Sequence, residues 1–156
     1  MSKDFHFSGV SIYQGKSLIL TDVTFNIAHG EFVYLIGKTG TGKSSLLKTI
    51  YGDLPLRAGN AQVAGFDLEK TNWKTVPFLR RKLGIIFQDF QLLMDRSVDD
   101  NLEFVLRATG TNDKSLIKLK SDEALKRVGL QSKGFKMPHE LSGGEQQRVV
   151  IARAIL

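Results

Sequence analysis

Eight residues, Gly37-Lys38-Thr39-Gly40-Thr41-Gly42-Lys43-Ser44, place three glycines, a lysine and a hydroxyl at the spacing G-x-x-x-x-G-K-[ST]. Each residue type has a mechanical reason. The glycines let the chain curl until successive backbone N–H groups face inward around phosphate oxygens. A helix starting near Ser44 adds free N–H donors and the positive end of its dipole to the same anion. Lys43 supplies an ammonium that reaches the β- and γ-phosphates, and the Ser44 hydroxyl suits Mg²⁺. Ser45 offers a further hydroxyl toward the α-phosphate. The bland alternative is a glycine-rich strand-to-helix turn. From average residue usage the four fixed positions match by chance in roughly one chain of this size in a few hundred. A nucleoside triphosphate is the expected ligand.

A second string, Leu141-Ser142-Gly143-Gly144-Glu145-Gln146-Gln147-Arg148, reads locally as a capped helix start. Ser142 is the N-cap, and Glu145 three residues later completes a capping box. Two glycines in the first turn cost roughly 1 kcal/mol each relative to alanine. That cost is intelligible if a ligand must approach the backbone closely, since a helix N-terminus is an anion site. Standing alone, the string is better read as an ordinary capped helix whose glycines are incidental.

The elements that must position these strings follow from patterning. Residues 5–27 read as two amphipathic strands broken at Gly15, and Ala28-His29-Gly30 as a tight turn. Phe32-Val33-Tyr34-Leu35-Ile36 is a continuous apolar run, expected to be a strand buried on both faces of a parallel sheet and ending at Gly37. Leu46, Leu47 and Ile50 carry a helical pattern from Ser44, with Gly52 as its stop. A turn and short strand are expected around 61–64, then a short helix opened by Pro77. Gly84-Ile85-Ile86-Phe87 is expected to be a second buried strand, ending in Gln88-Asp89. From Ser97 to about Leu130 the pattern is helical, with Gly110 and Gly129 as stops. Strand, glycine loop and helix in that order argue for an α/β core with helices inserted near 90–140.

Taken together, GKTGTGKS and LSGGEQQR about a hundred residues later resemble the ATP-binding-cassette (ABC) ATPases over the entire chain. The resemblance implies a P-loop NTPase fold with an N-terminal antiparallel β subdomain. Residues 1–89 and 141–156 would form the RecA-like core with that β subdomain, and about 90–140 a helical subdomain. Tyr13, before the Gly15 turn, matches the aromatic that stacks on adenine in this family. Gln88 matches the glutamine that reaches Mg²⁺ and the attacking water and senses a transmembrane partner. Family cassettes dimerise head-to-tail, which implies a homodimer on ATP binding. Ser142, Gly143, Gly144 and Glu145 would then face the nucleotide bound by the opposite copy, with Ser142 and Gly144 on its γ-phosphate. The segment 76–102, with Val76-Pro77-Phe78-Leu79-Arg80-Arg81, Phe87-Gln88-Asp89 and Leu92-Leu93-Met94-Asp95-Arg96, is similar to the branch of the family that serves bacterial cell division. That likeness implies an integral membrane subunit as partner and a peripheral place on the inner face of the plasma membrane. Lipoprotein-releasing and macrolide-exporting ATPases are the next nearest in pattern.

Hydrolysis in the family also needs four apolar residues followed by Asp-Glu, and no such string occurs in these 156 residues. Gly84-Ile85-Ile86-Phe87-Gln88-Asp89 imitates it, with glutamine where the aspartate belongs. His6, His29 and His139 all precede the place of the family's switch histidine. The sequence stops inside the apolar helical run 149–156, so a fragment lacking the last third of a cassette, with an incomplete central sheet, is expected. On that reading the chain alone is a nucleotide-binding module whose own hydrolysis is doubtful, for want of the general base.

Composition sets bounds on the rest. With 42% hydrophobic and 24% charged residues, the chain is an ordinary globular composition rather than a disordered one. No cysteine is present, which excludes disulfides and thiolate metal sites. The longest apolar runs fall far short of the roughly 18–20 residues that span a bilayer. MSKDFHFSGV lacks an apolar signal region, so a reducing, cytoplasmic setting is expected. The formal charge of +6 comes from scattered Lys and Arg without an aromatic RNA-binding pattern, so no nucleic-acid partner is expected. Soluble ABC ATPases of DNA maintenance would carry a long coiled-coil insertion, for which the spacing leaves no room. A small P-loop kinase would leave LSGGEQQR accidental.

Overall fold

The computed structural model describes residues 3–156. It resolves into two compact units, one running to Leu83 and the other from Gly84 to Leu156.

The first unit is built on a four-stranded antiparallel sheet: β1 (Lys3–Gln14), β2 (Ser17–Ala28), β3 (Ala58–Val63) and β4 (Phe66–Asp67), in the order β2-β1-β3-β4. The β1–β2 hairpin turns at Gly15, whose φ of +60° suits the two-residue connection. Strict alternation would bury Phe5, Phe7, Gly9 and Ser11. A register shift between Phe7 and Val10 instead turns Val10 and Ile12 inward, and both are buried with Phe7. The shift sits at Gly9, against which Gly59 of β3 packs so closely that a Cβ there would lie 2.4 Å from the Gly9 carbonyl oxygen. Phe7 stacks on Phe25 with ring centroids 4.6 Å apart. Helices α1 (Lys43–Ile50) and α2 (Val76–Arg80) add Leu46 and Leu79 to this core.

Two expected strands are absent, and this corrects the reading from sequence. Phe32–Ile36 joins no ladder and is solvent-exposed, Phe32 at 81% and Ile36 at 86%. The segment 84–87 is likewise irregular, with Ile86 exposed. A strand buried on both faces exists only when neighbours flank it on either side. Among the described residues none does. The other expected elements are present, though β3 begins three residues earlier than patterning placed it.

The second unit holds α3 (Val98–Ala108), α4 (Lys114–Arg127) and α5 (Gly143–Ala154). Their apolar faces meet in a core that includes Leu92, Leu102, Leu125, Leu130, Val149 and Val150. Gly110 and Gly129, at φ +102° and +69°, end α3 and α4. Ser97 and Asp100 form a capping box on α3, and the Asp113 carboxylate caps α4 by accepting the Leu116 N–H at 2.7 Å. Within this core lies a polar hub that patterning did not reveal. Asn101, 1% exposed, accepts the Leu93 N–H at 2.8 Å and donates to the carbonyls of Leu93, Arg96 and Ser97 at 2.9–3.3 Å. It fastens the irregular segment ahead of α3 to the helix.

At the start of α5, Ser142 and Glu145 form the expected capping box. The Glu145 carboxylate accepts the Ser142 N–H at 2.9 Å and its hydroxyl at 2.8 Å, while Lys133 stands 3.3 Å away. These contacts favour the ionised carboxyl, led by the Ser142 N–H, and hold its pKa down at about 2.

Replacing Asn101 by Ala takes their partner from the Leu93 N–H and the Arg96 carbonyl, while the Leu93 and Ser97 carbonyls keep backbone donors in Arg96 and residue 101. Denaturant unfolding is expected to show a loss of about 1–3 kcal/mol with an unchanged slope. Because the Glu145 pKa is depressed from 4.5 to about 2, its stabilisation is complete above 4.5 and disappears as the pH falls toward 2. Unfolding of Glu145→Gln is therefore expected to differ from the parent at neutral pH and to converge with it near pH 2.

Candidate nucleotide-binding site

Two candidate sites are present, one in each unit. The first is the loop 37–44 at the head of α1. Gly40 and Gly42 take φ of +82° and +90°, which turns the chain back on itself. Gly42 has no room for a side chain, because a Cβ there would lie 2.9 Å from Ile19 and Leu20. The turn is braced by Thr41, whose N–H and hydroxyl both donate to the Lys38 carbonyl, at 3.4 and 2.8 Å. Lys43 folds its ammonium over the loop, donating to the Gly37 and Lys38 carbonyls at 2.7 Å each. It is thereby held beside the first turn of α1.

That turn leaves its first N–H groups without a side-chain cap. Its N-cap is Gly42, which has no side chain to satisfy the first N–H groups, and no acidic residue stands in the first turn. The basic Lys48 stands in the last turn, so the charge pattern follows the helix dipole. Lys38, Thr39, Gly40, Thr41 and Ser44 are exposed, and Gly42, Lys43 and Ser45 are half-buried. The hydroxyl of Ser44 is therefore open to a ligand arriving at the loop.

Tyr13 lies in β1, half-buried and paired across the hairpin with Leu18. The Arg57 guanidinium stands 5.7 Å over its ring and also donates to the Gly15 carbonyl at 2.7 Å. One face of the tyrosine is thus occupied by a cation, which steadies the ring.

The second candidate site is the start of α5. A Cβ added at Gly143 would meet nothing within 4 Å, and one at Gly144 only the tip of Arg148 at 3.9 Å. Internal crowding does not account for these glycines, in contrast to Gly42 and Gly59. Both are exposed, and bare backbone faces outward at the positive end of the helix. Glu145 is turned back onto Ser142 and leaves that approach clear.

Gln88 is exposed in a turn of the second unit. Its amide oxygen and the Ser44 hydroxyl are hard, neutral donors of the kind Mg²⁺ takes alongside phosphate oxygens. Among the described residues no cluster of three or more His, Asp or Glu could hold a metal by itself. Each of the Gln88 and Ser44 oxygens, taken by itself, is a donor type that Mg²⁺ accepts. Among the described residues no helix is long and apolar enough to cross a membrane. Two residues that matter here escaped sequence reasoning, Asn101 and Arg153. Their only local signals are a polar residue on the buried face of an apolar helix and an arginine in an otherwise apolar helical run.

Comparison with known proteins places this geometry in context. The family described as "ABC transporter" matches residues 20–156. The chain is 41% identical over 147 residues to the cell division ATP-binding protein FtsE of Streptococcus pneumoniae serotype 2, covering 94% of this chain and 64% of that protein. It is 45% identical over 144 residues to FtsE of Escherichia coli, covering 92% and 64%. The chain thus spans just under two thirds of the length of these curated relatives. Among solved structures it resembles the ATP-binding cassette MJ0796, seen as a dimer in a post-hydrolysis state bound to ADP and Pi. The TM-score is 0.85 at 31% identity, covering 97% of this chain and 68% of that one. On these matches the chain belongs to the ABC transporter ATP-binding cassettes, a family of P-loop ATPases.

Proposed function

We propose that the intact protein binds MgATP between two head-to-tail copies and hydrolyses it to drive an integral membrane subunit of the FtsX type in bacterial cell division. The observation that carries this is the pair of helix starts whose backbone is left open: α1 behind a glycine N-cap and α5 behind Gly143 and Gly144. Both suit a phosphate, and each string is a family motif. Likeness to FtsE over nearly the whole chain supports the cell-division assignment and, through it, a peripheral place on the cytoplasmic face of the plasma membrane.

In this reading Gly37 to Ser44 wrap the phosphates, with Lys43 leaving the loop carbonyls for the β- and γ-phosphate oxygens. Ser45 approaches the α-phosphate, and Tyr13 stacks its open face on adenine. Ser142 and Gly144, with Gly143 and Glu145 shaping the turn, face the γ-phosphate of the ATP held by the other copy. Ser44 and Gln88 hold Mg²⁺, which when bound offsets the charge on the transferring phosphoryl group. In the same reading 1–89 and 141–156 contribute to a RecA-like core, and about 90–140 is the helical subdomain.

Lys43→Ala in the intact protein is expected to weaken ATP binding at least about tenfold, the loss of one charge-assisted hydrogen bond. A fluorescent-nucleotide titration reads it, and unchanged affinity defeats the loop assignment. Ser142→Arg is expected to abolish ATP-driven dimerisation in gel filtration while sparing nucleotide binding by the monomer. A dimer that persists removes the head-to-tail arrangement.

A further inference from the structure

Two residues beyond Gln88, the chain adopts a conformation that L side chains rarely take. Phe90 and Gln91 are consecutive non-glycine residues in the left-handed region, at φ +60° and +47°. Such a pair persists only where its surroundings hold it. The holder is Arg153, 63 and 62 residues further along the chain. Its Nη2 donates to the Phe90 carbonyl at 2.9 Å and its Nη1 to the Gln91 carbonyl at 2.6 Å. A planar guanidinium presents two donors in a rigid fork, so the two carbonyls are fixed relative to one another as well as to the helix. Arg153 is half-buried, and this burial lowers its pKa. Among the described residues no carboxylate stands within ion-pair distance of it. The cation is committed to two peptide carbonyls.

The same helix end anchors the near side of the segment. A Cβ on Gly84 would lie 2.5 Å from the Ala154 carbonyl oxygen, so the backbone passes there in direct contact. On the far side Leu92 enters the core and Leu93 is gripped by Asn101. Between these fastenings Gln88 and Asp89 form an exposed turn.

We propose that Arg153 is the positioning residue of Gln88: by clamping the left-handed Phe90–Gln91 pair, it sets the course of the backbone as it leaves Gln88. The inference rests on the role given above to Gln88 and adds to it. It also joins two features on one rod, because α5 starts at Gly143, directly after its cap Ser142, and its 12 residues, about 18 Å long, carry Arg153 in the last turn. A shift of the signature end along the helix axis is then felt at the turn that carries Gln88.

The test uses the intact protein with Arg153→Ala and Arg153→Lys, the latter keeping the charge but losing the fork. Amide hydrogen exchange across 88–92 is expected to accelerate at least about tenfold in both, as two charge-assisted hydrogen bonds are lost. ATP turnover is expected to show kcat reduced about tenfold with KM for ATP within about twofold, the split that marks an interaction outside ground-state binding. Gln91→Gly added to Arg153→Lys should recover part of kcat, since glycine takes the left-handed conformation without strain. Unchanged exchange in Arg153→Ala overturns the proposal, as does a fall in kcat matched by an equal rise in KM and a lowered unfolding midpoint. If the unsubstituted protein neither binds nor hydrolyses ATP, the functional reading fails instead, and the exchange measurement still decides the clamp.

Discussion

The first four N–H groups of an α-helix have no partner inside the helix, and something must satisfy them. Much of this molecule is arranged around how that constraint is met at α1 and α5. At α3 and α4 side chains meet it, through Ser97 with Asp100 and through Asp113. At α1 the N-cap is a glycine, the first turn carries no acid, and the preceding loop folds Lys43 alongside. At α5 the cap is present, but Glu145 is bent back to Ser142 and two glycines keep the adjacent backbone bare. Helices of the same chain thus differ in what stands at their first turn.

The support behind each candidate site is different in kind. Behind the loop 37–44 stands an antiparallel sheet whose register shifts along β1 bring Phe7, Val10 and Ile12 into one core with Leu46 of α1 and Leu79 of α2. The hairpin side chains Ile19 and Leu20 fill the space that a residue larger than glycine would need at position 42. Behind α5 stands a three-helix core with one polar hub. Asn101 and Arg153 do there what a sheet ladder does elsewhere, giving hydrogen bonds to the carbonyls of irregular chain.

Local features were legible from residue order. The hairpin with its Gly15 turn, α1 with its loop, the glycine stops of α3 and α4 and the capping box at Ser142 each depend on residues within a few positions of one another. The segments 32–36 and 84–87 were misread for a physical reason. An apolar run reports that a segment suits burial, whereas a strand also requires hydrogen-bonding neighbours, and periodicity does not name them. Arg153 was missed because its partners are peptide carbonyls more than sixty residues away, which carry no side-chain signal. The left-handed geometry of Phe90 and Gln91 was equally silent, since neither residue type favours it.

Gly143 and Gly144 set two selective pressures against each other. With open space where each side chain would go, alanine at either position would improve the helix without disturbing a neighbour. A programme of thermostabilisation, natural or in the laboratory, would therefore drift toward filling both positions, and, on the function proposed above, the more robust protein would be the one whose γ-phosphate surface had been roofed over.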